Sequence, residues 1–107
     1  MRLFFKNTAV GTALLLMTAG TVWAQADAKS MYLDKCATCH GQDGMGKTAM
    51  GKKLKVVDVK TSSAKTSAAD MEKVVANGNG HDMDAFGKDL SSDQIKAIVS
   101  YYRGLAK

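Results

Sequence analysis

The sequence predicts an all-α protein, a set of helices joined by glycine-rich loops. Three observations predict it. Apolar residues recur at spacings of three and four, most clearly at Ile95, Ile98, Val99 and Tyr102. Two such stretches follow a serine with an acid or amide three residues on, Ser67-Ala-Ala-Asp70 and Ser91-Ser-Asp-Gln94, the pattern by which a helix satisfies its first free amides. The single short apolar run that could form a strand, Leu54 to Val59, has no second strand to pair with and reads as an extended wall segment.

Residues 1–24 read as an export leader. Arg2 and Lys6 supply a basic start, Ala9 to Val22 is an apolar run broken only by Gly and Thr, and Val22-Trp23-Ala24 offers small residues for cleavage, with a second site after Ala26. The run is shorter than the roughly 20 apolar residues of a membrane anchor. Cleavage would lower the net charge from +5 and leave residues 25–107 as one domain. A chain that short usually needs a metal, cofactor or disulfide to hold its fold.

Along that domain the first helix is expected over Ala28 to Cys36, with Ala28, Met31, Tyr32 and Cys36 on one face. Gly41 to Thr48 carries Gly41, Gly44 and Gly46 and reads as a loop. After the wall segment, Ser62 to Ser67 reads as a polar linker. A helix capped at Ser67 should stop at Asn77-Gly78. A second loop, Gly78 to Asp89, carries His81, Met83 and Phe86, and the last helix begins after Ser91.

Both cysteines and one of the two histidines fall in Cys36-Ala-Thr-Cys39-His40. This spacing is the attachment pattern of a c-type haem: two thiols on a turn of helix reach the two vinyl groups, and the next imidazole lies under the iron. A thioredoxin-like dithiol would sit at the end of a strand, which is missing here. Zinc held by Cys36, Cys39, His40 and His81 would need two consecutive ligands on one small ion. A short-loop disulfide with an incidental histidine is the plainest rival.

A second axial ligand must come from elsewhere. Met31 and Met71 lie on apolar helix faces and read as core, whereas Met45 and Met50 follow His40 too closely to reach the opposite side. Met83 stands in a glycine-flanked loop between two helices. His81, two residues before it, is the competing ligand, and an open position is the third reading.

Met83-Asp-Ala-Phe86-Gly87, followed by Leu90-Ser91 and a final helix reaching Tyr101-Tyr102, resembles the Met-Pro-Ala-Phe-Gly segment of small bacterial class I cytochromes c, the cytochrome c6-like ones in particular. Tyr32 precedes the cysteine motif as an aromatic does in that family, and Gly51-Lys-Lys-Leu54 lies where the family carries Gly-Pro-x-Leu. The resemblance covers essentially the whole mature chain. It implies the class I cytochrome c fold, with first and last helices crossing and one covalently bound haem c. It implies thioethers from Cys36 and Cys39, axial ligands His40 and Met83, and Leu54 and Phe86 packed on the haem. The chain departs from the family in having no proline. Asp84 follows the methionine, and the carbonyl that accepts the Nδ1 proton of the axial histidine falls to Lys52.

With both axial positions filled by side chains, the expected function is electron transfer in the periplasm by a soluble, monomeric, non-enzymatic carrier. Its partners would be redox proteins such as a membrane oxidase, reductase or dehydrogenase. The alternative is a haem that binds small ligands or acts as a peroxidase, its sixth ligand labile. Lys47, Lys52, Lys53, Lys55, Lys60 and Lys65, opposed mainly by Asp58, form either a solvated face or a basic rim for an acidic docking surface. An exported haem protein is not expected to bind nucleic acid.

Overall fold

The structure, a computed structural model, describes the backbone of residues 19–107 and side chains from residue 27. The leader read over residues 1–24, with its second cleavage site after Ala26, lies outside the described residues apart from the helical backbone that starts at Ala19. Six helices follow in order among the described residues: α1 Ala19–Lys35, α2 Ala37–His40, α3 Ala49–Lys53, α4 Val59–Lys65, α5 Ala68–Asn77 and α6 Ser92–Gly104. Among the described residues there is no strand, only an isolated antiparallel bridge between Asn79 and Met83.

The helix α6 organises the rest. It packs on α1 in the broadest contact between any two elements, and also on α5 and α4. Its face of Ile95, Ile98 and Val99 is buried against Tyr32 and Cys36 from the α1 end and Met71 and Val75 from α5. The periodicity that marks this helix in the sequence therefore corresponds to its buried face. Tyr32 is 1% exposed, and its ring lies 5.3 Å from that of Tyr101 and 6.0 Å from that of Tyr102. Apolar burial on this face supplies the main driving force for the fold.

Caps place the helices. Ser91 and Gln94 form a complete capping box on α6, Ser91 Oγ accepting from Gln94 N and Gln94 Oε1 from Ser91 N. On α5 half of the expected box forms. Ser67 Oγ accepts from Asp70 N at 3.1 Å, while the Asp70 carboxylate lies 3.9 Å from Lys73 Nζ. Arg103, in the last turn of α6, donates to the Thr66 carbonyl at 2.6 Å and approaches Met71 sulfur at 3.6 Å, so it ties the α4–α5 junction to the end of the chain's last helix.

The middle of the chain departs from expectation. The wall segment expected over Leu54 to Val59 is a turn at Leu54 and Lys55 and irregular from Val56 to Asp58, with Val59 already in α4, and the linker expected over Ser62 to Ser67 is largely the helix α4. Ser, Thr and Val are poor helix formers, yet two contacts outweigh that preference. Asp58 Oδ1 accepts from Thr61 N and Oδ2 from the Thr61 hydroxyl, both at 2.9 Å, and Val59 is completely buried.

Candidate functional site

The cysteine motif folds as a single turn. The Cys36 carbonyl accepts from Cys39 N at 3.2 Å and from His40 N at 2.9 Å, which sets the two sulfurs one helical turn apart on one face. Both thiols are free, Cys36 buried and Cys39 half-buried. Burial pushes the Cys36 thiol up to about 11. The same cause pushes His40 down, and a neutral imidazole is the form that binds metals.

Three contacts hold this turn against its surroundings. The Tyr32 hydroxyl donates to the Gly41 carbonyl at 2.6 Å, and burial holds that phenol well above its ordinary range. His40 contributes its own carbonyl, which accepts from Gly46 N at 2.8 Å and so closes the glycine loop. Thr48 Oγ1 donates to the Thr38 carbonyl at 2.6 Å and reaches the Cys39 carbonyl at 3.2 Å, while accepting from Gly51 N at 2.9 Å. Thr48 thus caps α3 and staples it to the cysteine turn. Sequence reasoning missed it, although Thr48-x-x-Gly51 is a legible cap. Gly51 is required by the same closeness, because a Cβ there would collide with the Cys39 carbonyl oxygen.

His40 packs edge to face on Tyr102, with ring centroids 5.2 Å apart. Its Nδ1 is buried and has no hydrogen-bond partner among the described residues. The Lys52 carbonyl, expected to fill that role, instead accepts from Lys55 N at 3.3 Å.

Met83 is half-buried and packs on the core cluster, as does Phe86. The loop that carries them is tied at several points. Asn79 N donates to the Met83 carbonyl at 2.9 Å, Phe86 N to the Val75 carbonyl at 2.9 Å and Gly87 N to the Ala76 carbonyl at 3.0 Å. His81 is exposed. Leu54 is half-buried at the C-terminal cap of α3. Among the described residues no three of His, Cys, Asp and Glu gather where they could hold a metal ion, so the four-ligand zinc site is not assembled. All six lysines from Lys47 to Lys65 are exposed, whereas Asp58 is committed to the α4 cap, whose hydrogen bonds from Thr61 lower its pKa.

The donor set fits a covalent haem. Two free thiols stand a turn apart beside a neutral imidazole, a thioether lies in the α5–α6 loop, and Met50, Val57 and Val74 are 41%, 52% and 38% exposed, apolar surface of the kind a large macrocycle covers.

Comparison with known proteins places the chain among c-type cytochromes. Residues 24–101 match the family described as cytochrome C oxidase, cbb3-type, subunit III. The chain is similar to the cbb3-type cytochrome c oxidase subunit FixP of Azorhizobium caulinodans, 32% identical over 75 residues that make up 70% of this chain and 25% of that protein. It is also similar to the subunit CcoP of Azospirillum brasilense, 28% identical over 79 residues, 72% of this chain and 27% of that protein. The chain therefore spans about a quarter of the length of the curated relatives it matches. A solved structure, the KustC0563 c-type cytochrome, superposes with a TM-score of 0.69 at 32% identity, over 75% of this chain and 98% of that one.

Proposed function

Since the chain belongs to the cytochrome c oxidase, cbb3-type, subunit III family, we propose that it is a one-electron carrier rather than an enzyme. In this reading residues 1–24 are an export leader, and residues 25–107 work in the periplasm as a soluble monohaem domain and a monomer. The observation that carries the proposal is the turn at Cys36–His40, where two free thiols and a neutral imidazole are held in one orientation by Tyr32, Thr48 and α6.

Cys36 and Cys39 would hold one haem c through thioethers, with His40 and Met83 as axial ligands and Leu54 and Phe86 packed beside it. The bound group supplies a one-electron iron couple. The chain's part is to fix the ligands and keep water out. The α1–α6 contact fixes Cys36, the bond from Tyr32 sets where the chain leaves His40, and Asn79 sets the backbone of Met83. With His40 and Met83 both ligating the iron, no place would be left on it for a substrate.

The relatives named as oxidase subunits make a membrane oxidase the favoured partner. The exposed lysines from Lys47 to Lys65 would steer the protein to an acidic face on it, so the transfer rate should fall as salt rises.

The test is a visible spectrum of the purified protein in both redox states, with haem staining after denaturation. A stained band, lost in the Cys36→Ala, Cys39→Ala double variant, and a low-spin spectrum indifferent to carbon monoxide are the expected results. A stained double variant would refute covalent attachment. A spectrum that shifts with carbon monoxide would replace the carrier by the ligand-binding alternative.

A further inference from the structure

Three buried side-chain atoms lack a hydrogen-bond partner among the described residues: His40 Nδ1, Ser63 Oγ and Tyr102 Oη. Two of them belong to rings in contact, with His40 and Tyr102 at 5.2 Å and an interplanar angle of 69°. Buried polar atoms nearly always find a partner, in the protein or in ordered water. The Ser62 hydroxyl approaches Tyr102 from α4 without completing a hydrogen bond to Oη. The Lys52 carbonyl is engaged at the end of α3 by Lys55 N.

We infer that Tyr102 is the positioning residue of His40: the edge-to-face contact of the two rings sets the imidazole plane, and the Tyr102 hydroxyl accepts the hydrogen bond from Nδ1–H through one buried water. The inference rests on the reading of His40 as an iron ligand. A proton kept on Nδ1 leaves the Nε2 lone pair for the metal, and an accepted bond at Nδ1 makes the ring a stronger donor. A stronger donor favours oxidised iron. Tyr102 thereby links the electron affinity of the site to α6, whose packing on α1 and α5 fixes the position of the phenol.

Tyr102→Phe keeps the ring and removes only the hydroxyl. In the haem-loaded protein two changes are expected together. Equilibrium with a fixed redox mediator shifts toward the reduced form by about two- to tenfold, the range of one hydrogen bond, and the His40 Nδ1–H resonance in nitrogen-edited NMR moves upfield and exchanges faster with solvent. Tyr101→Phe, whose ring meets Tyr32 instead, should change neither. A Tyr102→Phe protein with the parent's mediator equilibrium and the parent's Nδ1–H resonance overturns the inference and returns the role to the Lys52 carbonyl. An equal shift in Tyr101→Phe also overturns it. Protein that purifies without a haem-stained band refutes the underlying reading of the site, and the inference with it.

Discussion

Gly51→Ala should destabilise the protein although alanine is the better helix former. Gly51 is buried in α3, and an added Cβ would collide with the Cys39 carbonyl oxygen and lie 2.5 Å from that of Gly46. Both obstacles are backbone, so neither can swing aside as a side chain would. Overpacking of this kind costs about 1–3 kcal/mol, and two fixed obstacles place Gly51 at the upper end. The gain in helix propensity returns about 1 kcal/mol, which leaves a net loss of about 2 kcal/mol. For a domain of this size that is a fall in melting temperature of about 8–16 °C. Gly104, in the last turn of α6, is the control. A Cβ there meets nothing within 4 Å, so Gly104→Ala keeps the propensity gain and should raise the melting temperature slightly. Thermal unfolding of both haem-loaded variants followed by far-ultraviolet circular dichroism reads the difference in sign. A Gly51→Ala protein as stable as the parent, or more so, would mean that α3 does not press on the cysteine turn.

Met83→Ala should open the iron to cyanide or carbon monoxide, Met83→His should stay low-spin at a lower potential, and His81→Ala should do neither. Ligand binding gained only by the His81 variant would reassign the sixth ligand. Leu54→Ala should cost about 1–2 kcal/mol in urea unfolding, less than a fully buried leucine because this one is half-buried. An unchanged midpoint would put its side chain in solvent. Burial, reinforced by Tyr102 and Cys36, raises the Tyr32 pKa, so its contribution is present below about pH 10, the ordinary value in the unfolded chain, and is lost as pH climbs past it. The urea midpoint should therefore decline in alkali, and less steeply in Tyr32→Phe. Parallel declines would show that the phenol titrates freely.

The two ends of the domain were legible because their signals are local. Ser67 and Ser91 carry caps that need only the next three residues, and Ile95, Ile98 and Val99 write the buried face of α6 directly into the spacing. The middle was not. Val59-Lys-Thr-Ser-Ser-Ala-Lys has weak helix propensity, and its helix depends on Asp58 as cap and on Val59 buried beneath the chain, of which only the cap is visible in sequence. Within the site, the order of the cysteine motif named the thiols and imidazole, and the structure places them on one turn. The contact of His40 with Tyr102 joins residues far apart in the chain through the α1–α6 packing, and no periodicity announces it.

The burial of Cys36 favours one order of events in biogenesis. Its sulfur lies in the cluster that α6 closes with Ile98 and Val99, and that closure joins segments separated by the whole chain from Lys35 to Ser92. Bringing such distant segments together is a slow step compared with forming a local turn. Once it is complete, the thiol is shielded and protonated, and a protonated thiol is a poor nucleophile. A bond at this sulfur therefore forms more readily before the last helix docks, and a variant that speeds the docking of α6 would shorten the interval in which the sulfur is most reactive.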